Sequence, residues 1–224
     1  MLTIFVIVFI NLVGFGIIIP LLPFYGEHYG ASPEKVTALM ATYSLFQFLF
    51  APIWGYISDR VGRKPILIIS LLGTIIAYLL LAMAPNLIWL FVARAIAGIM
   101  AGSISAAFAF MADITTREDR TKGMGIIGSA FGLGFIAGPA IGGFLAGGDI
   151  NNTNFQVPAY YAAGFAALAS IFSVFFLRES LPAIKRQNWQ LRFKPIQSLK
   201  AINLKLPPDV KYILYLTFFA ISVF

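Results

Sequence analysis

The sequence has no cysteine, a single histidine and few charged residues. Without cysteine it has no disulfide framework, thiolate nucleophile or cysteine metal site, and His28 alone excludes a site with several histidine ligands. Charged residues make up 11% of the 224 positions, hydrophobic residues make up 59%, and the mean hydropathy is +0.86. A water-soluble domain of this length could not bury so much apolar surface, so lipid is the expected solvent for most of the chain.

Charge-poor runs predict six membrane-spanning helices. A span needs about 20 mostly apolar residues, and lipid requires each backbone polar group to be bonded within the segment, which favours helices over open sheets. The predicted spans 1 to 6 cover, in order, residues 2–25, 36–58, 65–84, 87–112, 123–147 and 158–177. The sequence therefore indicates an all-α, multi-pass membrane protein.

The positions of lysine and arginine predict the orientation of these spans. The loops after spans 2 and 4 and the segment 178–211 carry nearly all of the basic residues, whereas Lys35 is the only one in the loops after spans 1, 3 and 5. The positive-inside rule then places the N-terminus and the even-numbered loops in the cytoplasm. Topology accounts for the net charge of +7, so no nucleic-acid partner is expected.

Three segments are expected along the chain. Residues 1–177 form a six-helix transmembrane domain, and residues 178–211 form a basic cytoplasmic linker. Residues 212–224 are apolar again but too short to cross a bilayer, and we interpret them as the start of a seventh span. The chain then looks like an amino-terminal half followed by a central cytoplasmic linker, and a second six-helix half is its expected partner.

An internal repeat supports this interpretation. "FLFAPIWG" in span 2 and "FIAGPAIG" in span 5 align at an offset of 87 residues, which also carries span 1 onto span 4 and span 3 onto span 6. Two triplets of spans have opposite orientations, because each contains an odd number of crossings. Inverted repeats of this kind are typical of transporters, although chance similarity between two Gly- and Pro-rich apolar helices is the alternative.

Charge is concentrated in "GYISDRVGRKP" (55–65), between spans 2 and 3. Gly55 is expected to let two helices approach closely, and Gly62 to permit a sharp turn. Asp59 can pair with neighbouring cations or face a helix N-terminus. The alternative, topogenic charge plus a turn, accounts for the basic residues but not for the spacing of Gly55, Asp59 and Gly62.

This stretch resembles the G-x-x-x-D-R-x-G-R-K signature of the major facilitator superfamily. The matching residues are Gly55, Asp59, Arg60, Gly62, Arg63 and Lys64. The resemblance implies a six-helix amino-terminal half built as a 3+3 inverted repeat. It also implies a cytoplasmic latch in which Asp59 and Arg63 join an acidic residue at the end of span 4, here Asp113.

Span 5 contains "GLGFIAGPAIGG" (132–143). Glycines recur every four residues and predict a flat stripe for close helix packing, and the proline removes one backbone hydrogen bond. The pattern is similar to the antiporter motif of the same family, which marks exporters more than importers. The matching residues are Gly134, Gly138, Pro139, Gly142 and Gly143.

Arg94 is the one charged residue inside span 4. A cation within the membrane costs roughly 2.5–3.5 kcal/mol on insertion scales, so it is expected to face a cavity bordered by spans 1, 2 and 5, although snorkelling to the headgroups is an alternative. Leu90, Arg94 and Gly98 resemble a family motif in which the arginine serves proton coupling, with Ala97 in place of its glutamine.

In span 1, Gly14, Gly16, Pro20 and Pro23 resemble the first helix of the family's twelve-helix drug:proton exporters. In the tetracycline-efflux branch of these exporters, the position of Asn11 is typically aspartate.

A substrate-facing surface is predicted from helical spacing on spans 1, 2 and 4. Its residues are Asn11, Phe15, Tyr43, Gln47, Phe50, Ala101 and Ser105. Each polar member could instead bond to a neighbouring helix.

We interpret the chain as part of a secondary transporter that exports small amphipathic molecules in exchange for protons, located in a bacterial inner membrane. An importer or facilitator of sugars or metabolites on the same fold is one alternative, and a non-transporting receptor or scaffold is another. No enzyme activity, cofactor or metal is expected, because the sequence lacks a G-x4-G-K-[ST] loop and any nucleophile–base or metal constellation.

Overall fold

The structure, a computed structural model, describes residues 1–147, 154–182, 184 and 186. It contains six helical segments long and apolar enough to cross a membrane, and no strand among the residues described. Spans 1 to 6 run over Leu2–His28, Pro33–Val61, Arg63–Ala82, Leu87–Ile114, Arg120–Ala146 and Gln156–Phe176. The predicted all-α architecture is confirmed, and each predicted boundary lies within three residues of the observed one.

Two of the six spans are interrupted. Span 1 consists of α-helices Leu2–Ile18 and Leu22–His28 joined by a 3-10 turn, Ile19–Leu21, where prolines at 20 and 23 remove backbone donors. Span 4 consists of α-helices Leu87–Ile99 and Gly102–Ile114, separated by a turn at Met100 and Ala101. The sequence did not predict the second break, because no proline marks it.

Packing follows the proposed repeat. Span 1 packs along spans 5 and 6, span 4 packs along spans 2 and 3, and span 3 also packs along span 6. In the repeat, spans 1, 2 and 3 correspond to spans 4, 5 and 6. The contact between spans 1 and 5 therefore corresponds to that between spans 4 and 2, and the contact between spans 1 and 6 corresponds to that between spans 4 and 3. The pairings are therefore those expected of two related triplets.

The buried core lies between the triplets and large apolar side chains cover the outside. Ile17, Leu39 and Leu90 are fully buried, whereas Phe144 and Phe175 are among the most exposed side chains. Small residues line the closest contacts, such as the alanines of span 6 that pack in the core. An apolar exterior is what a lipid-embedded bundle requires.

The domain boundaries stay predictions. Residues Met1–Gln187 form one compact unit, which includes all six spans and the beginning of the predicted linker. Most of the linker (188–211) and the expected seventh span (212–224) lie outside the described residues.

Candidate functional site

Arg63 joins the ends of spans 2, 3 and 4. Its Nη1 lies 2.6 Å from Asp59 Oδ1 and donates a hydrogen bond to Ser58 Oγ at 3.0 Å, and its Nε donates to Asp113 Oδ2 at 3.1 Å. The side chain is only 10% exposed, so the charge is shielded from water and held by two carboxylates. Ser180 Oγ also donates to Asp113 at 3.1 Å. The structure thus brings together the three residues expected to form the latch.

Glu179, just after span 6, caps the N-terminus of span 3. Its carboxylate oxygens accept hydrogen bonds from the backbone N–H groups of Arg63 (2.8 Å) and Lys64 (3.2 Å). The first N–H groups of a helix have no partner within the helix, and the helix N-terminus carries a partial positive charge. A carboxylate at this position accepts hydrogen bonds from those groups and also balances the charge. Arg186 Nη2 lies 4.0 Å from Glu179 Oε2, at the limit of an ion pair.

The other cations of the signature have different partners. Lys64 Nζ donates to the Val174 carbonyl at the end of span 6, at 2.8 Å. Arg60 donates to the Tyr56 carbonyl at 2.8 Å, and its Cζ lies 3.3 Å from the centre of the Tyr56 ring. Arg60 therefore belongs to span 2 alone and stays outside the Arg63 network.

The two glycines of the signature differ in role. Gly62 has φ +116° and links spans 2 and 3, so the predicted sharp turn is confirmed, and a side chain there would overlap the Glu179 carboxylate. The expectation for Gly55 is wrong for the part of the chain that the structure describes. A methyl group at Gly55 would meet no described atom within 4 Å, so no neighbouring helix approaches closely at this position.

The span 5 glycine stripe packs directly on span 1. A methyl group added at Gly138 would lie 2.6 Å from the Gly16 Cα, and one at Gly142 would lie 2.7 Å from the Ile17 carbonyl oxygen. Gly134 faces Leu12 in the same way, at 2.7 Å from its Cβ. Backbones in such close contact have no room for side chains.

Two other residues of the motif do not contribute to this seam in the same way. Pro139 lies within a helix that continues unbroken to Ala146, and its Cδ is 3.4 Å from the position of a methyl group on Gly16. Gly143 faces outward, with no described atom within 4 Å of an added methyl group.

Arg94 lies inside the six-span bundle. It is 5% exposed, and its Cζ lies 4.5 Å from the centre of the Tyr43 ring of span 2, with Tyr78 of span 3 within electrostatic range. The expectation that it faces a water-filled cavity bordered by spans 1, 2 and 5 stays a prediction. The Tyr43 ring covers the guanidinium, and spans 2 and 3 both pack against span 4.

A small cavity of about 20 Å³ lies between spans 1, 2, 3 and 4. Four of the seven predicted substrate-facing residues line it, namely Asn11, Phe15, Tyr43 and Ala101. Gln47, Phe50 and Ser105 are not part of that lining. Ser105 instead donates to the Gly102 carbonyl of its own helix at 2.9 Å, and Phe50 contacts the Phe46 ring.

Side chains of spans 2 and 3 satisfy the backbone groups at the break in span 4. Trp54 Nε1 donates to the Ile99 carbonyl, and Ser70 Oγ donates to the Met100 carbonyl. Ser70 Oγ also accepts from the Ser103 N–H at 2.7 Å. Unpaired backbone groups are costly in lipid, so these contacts stabilise the interruption.

Sequence reasoning missed several of these residues. Glu179 carried a signal, since it is an isolated acid within a basic segment. Thr74, Tyr78 and Ser103 line the cavity and are hydroxyl residues within apolar spans. Trp54 and Ser70 carried no comparable signal, because the break that they satisfy is not marked in the sequence.

Comparison with known proteins gives a consistent result. The family model described as Major Facilitator Superfamily matches residues 4–224. The chain is 41% identical over 181 residues to the class E tetracycline resistance protein of Escherichia coli, covering 78% of this chain and 43% of that protein. It is 32% identical over 225 residues to multidrug resistance protein 2 of Bacillus subtilis (strain 168), covering 98% and 55%.

Solved structures agree with these matches. The human organic anion transporter MFSD10 (TETRAN) superimposes with a TM-score of 0.73 at 29% identity, over 82% of this chain and 48% of that one. A POT family transporter, at 18% identity, shares the fold with a TM-score of 0.73 over 97% and 46%. The chain spans about half the length of the curated relatives it matches. On this evidence, the chain is an integral membrane protein that belongs to the Major Facilitator Superfamily, a family of transporters and not of enzymes.

Proposed function

We propose that this chain forms one half of a proton-coupled exporter of small amphipathic molecules that works by alternating access. A second six-span half, from the same polypeptide or from a further copy, completes the pathway. In this proposal the protein resides in a bacterial inner membrane with its N-terminus in the cytoplasm, as the distribution of lysine and arginine indicates.

The observation that carries the proposal is the glycine seam between spans 1 and 5. Gly138 and Gly16 approach so closely that no side chain fits between the helices. A bundle joined by backbone contact moves as one body, which rocking of one half against another requires. The same glycine residues form the pattern that is similar to the antiporter motif of the family.

The relatives support export as the direction of transport. They are named for resistance to tetracycline or to multiple drugs. For this chain, the substrate class proposed is amphipathic molecules of the size of a drug. Tetracycline itself is not proposed as the substrate, because Asn11 cannot carry a charge or a proton at the position where tetracycline exporters typically have aspartate.

The network around Arg63 is proposed to hold one conformational state. It ties span 2 to span 3 through Asp59 and span 3 to span 4 through Asp113. Movement that separates these cytoplasmic ends must break the ion pairs of an arginine side chain that is only 10% exposed, and the energy required slows that movement. This role rests on the contacts and on the resemblance of the signature.

The coupling proton needs a titratable carrier. No Asp or Glu lies in the interior of any span, so the carrier is Asp113 near the cytoplasmic end or a carboxylate of the second half. Arg94 is proposed to act beside that carrier through its fixed positive charge.

A transport assay tests the proposal. The complete protein is reconstituted in vesicles, a pH gradient is imposed, and the movement of a fluorescent cationic dye is followed with and without a proton uncoupler. Accumulation that needs the gradient and collapses with the uncoupler supports proton-coupled export. Gradient-independent exchange indicates a facilitator, and binding without movement indicates a receptor.

A further inference from the structure

Two cations meet at the junction where span 6 ends and span 3 begins. Lys64 Nζ donates to the Val174 carbonyl in the last turn of span 6, at 2.8 Å, and the Lys64 backbone N–H donates to Glu179 at 3.2 Å. Arg178 directly precedes Glu179 in the sequence. The Lys64 backbone thus contacts the residue that follows Arg178, so both cations belong to one junction between the two spans.

Both cations have donor groups to spare. Lys64 is partly exposed and Arg178 is exposed. An ammonium group has three N–H donors, and the Val174 carbonyl takes one of those of Lys64. The Arg178 guanidinium has no hydrogen-bond partner among the described residues, and neither cation pairs with a carboxylate there. The junction can therefore bind an external anion.

The carboxylates near this junction already have other partners. Glu179 accepts from two backbone N–H groups at the start of span 3, whose helix N-terminus carries a partial positive charge, and it lies 4.0 Å from Arg186. Asp59 and Asp113 both bind Arg63. The charge of these acids is thus largely balanced without Lys64 and Arg178.

Large apolar side chains face outward beside the junction. Phe175 and Phe176, at the end of span 6, are 76% and 62% exposed, and Ile69 and Leu72 are exposed in the first half of span 3. In a membrane protein, exposed apolar side chains of a span contact lipid acyl chains. A small soluble anion gains nothing from this surface, whereas a phospholipid uses both the cations and the apolar side chains.

We propose that Lys64 and Arg178 bind the headgroup of an anionic phospholipid whose acyl chains lie along spans 3 and 6. Its phosphate oxygens accept hydrogen bonds from the ammonium and guanidinium groups, and its net negative charge complements the two cations. A zwitterionic phospholipid has the same phosphate, but the cation in its headgroup offsets that charge. The proposal rests on the location of the chain in a membrane and not on the proposed export function.

The position of this site gives the lipid a structural role. Arg63 and Lys64 are the first two residues of span 3, so the headgroup lies beside the network in which Arg63 joins spans 2, 3 and 4. A lipid that contacts both Lys64 and Arg178 links the start of span 3 to the end of span 6. Its binding therefore makes the stability of this junction depend on the lipid composition of the membrane.

Native mass spectrometry on the complete purified protein tests the proposal. The delipidated protein in detergent is titrated with phosphatidylglycerol or with phosphatidylcholine that carries the same acyl chains, and the fraction with one bound lipid gives each dissociation constant. Phosphatidylglycerol is expected to bind about tenfold more tightly or better, because two cations contribute. An excess of glycerol phosphate, which has no acyl chains, should leave the bound lipid in place.

Three variants locate the site. Arg178→Gln and Lys64→Gln are each expected to weaken binding of phosphatidylglycerol about fivefold, because each removes one cation, and to change binding of phosphatidylcholine less. Arg117→Gln removes the same charge from the exposed loop after span 4 and should leave both affinities unchanged. Arg178 is exposed and bonds to no described residue, so Arg178→Gln keeps the test valid if Lys64→Gln fails to fold.

Three outcomes would overturn the proposal. Equal affinities for the two lipids would show that the headgroup charge is not recognised, and an equal loss in Arg117→Gln and Arg178→Gln would show attraction without a defined site. Displacement of the lipid by glycerol phosphate would indicate a site for a soluble anion instead. Lipid binding is measured without a pH gradient or dye movement, so failure here and failure of the export assay are distinguishable.

Discussion

Arg63 Nε and Asp113 Oδ2 lie 3.1 Å apart, although fifty residues separate them in the sequence. The contact joins the beginning of span 3 to the end of span 4, and Asp59 approaches the same guanidinium from span 2. Three helix ends therefore share one largely buried charge.

Asp59→Asn should lower the transport rate while expression and substrate binding stay close to those of the parent protein. The amide keeps the shape of the side chain but removes the charge that lies 2.6 Å from Arg63 Nη1. Rates in vesicles and equilibrium binding are measured on the same preparation. Glu118→Gln, which alters an exposed loop carboxylate, is the control. An unchanged transport rate in Asp59→Asn would show that the Asp59–Arg63 ion pair does not act as a latch.

Glu179→Gln should lower the thermal stability of the protein. The amide is a weaker acceptor for the Arg63 and Lys64 N–H groups and no longer complements the helix N-terminus, a loss of about 1 kcal/mol. Thermal unfolding in detergent measures the effect. An identical unfolding temperature would show that the cap seen here does not stabilise span 3.

Gly138→Leu should impair folding or transport through steric overlap with Gly16. Overpacking of a close contact typically costs about 1–3 kcal/mol. Gly164→Leu is the matched control, since Gly164 is also a glycine within a span but has no described atom within 4 Å of an added methyl group. The amount of protein in the membrane and the drug efflux are compared between the two variants and the parent protein. Normal efflux in Gly138→Leu would show that spans 1 and 5 do not need close backbone contact.

Ser70→Ala should destabilise the break in span 4. It leaves the Met100 carbonyl and the Ser103 N–H without their partner, at a cost of about 1–3 kcal/mol. Ser129→Ala is the control, because the Ser129 hydroxyl is exposed and bonds only to its own helix at Ile126. Equal unfolding temperatures for the two variants would show that Ser70 does not hold the interruption.

The spans were predictable because charge is expensive in lipid. Residues such as Arg63, Arg120 and Asp113 therefore stand at the helix ends, where the sequence itself marks the boundary. The Gly62 turn was predictable for a similar reason, since few residues other than glycine adopt a φ of +116°.

The remaining features depend on contacts that a sequence does not show. The break at Met100 forms because side chains of two other spans satisfy its carbonyl groups, and the flanking glycines also occur in uninterrupted helices. Glu179 caps a helix that begins more than a hundred residues earlier. Burial of Arg94 likewise follows from how spans 2 and 3 pack on span 4, which helical spacing alone does not determine.

Coupling of export to protons is the property that distinguishes the proposed function from its alternatives. The most direct measurement is dye movement in vesicles containing the complete protein, with an inward-facing or outward-facing pH gradient of equal size. Proton-coupled export should give dye movement whose direction reverses with the gradient and which stops when an uncoupler is added. Movement that follows only the dye concentration gradient, with no response to the imposed pH difference, would contradict it.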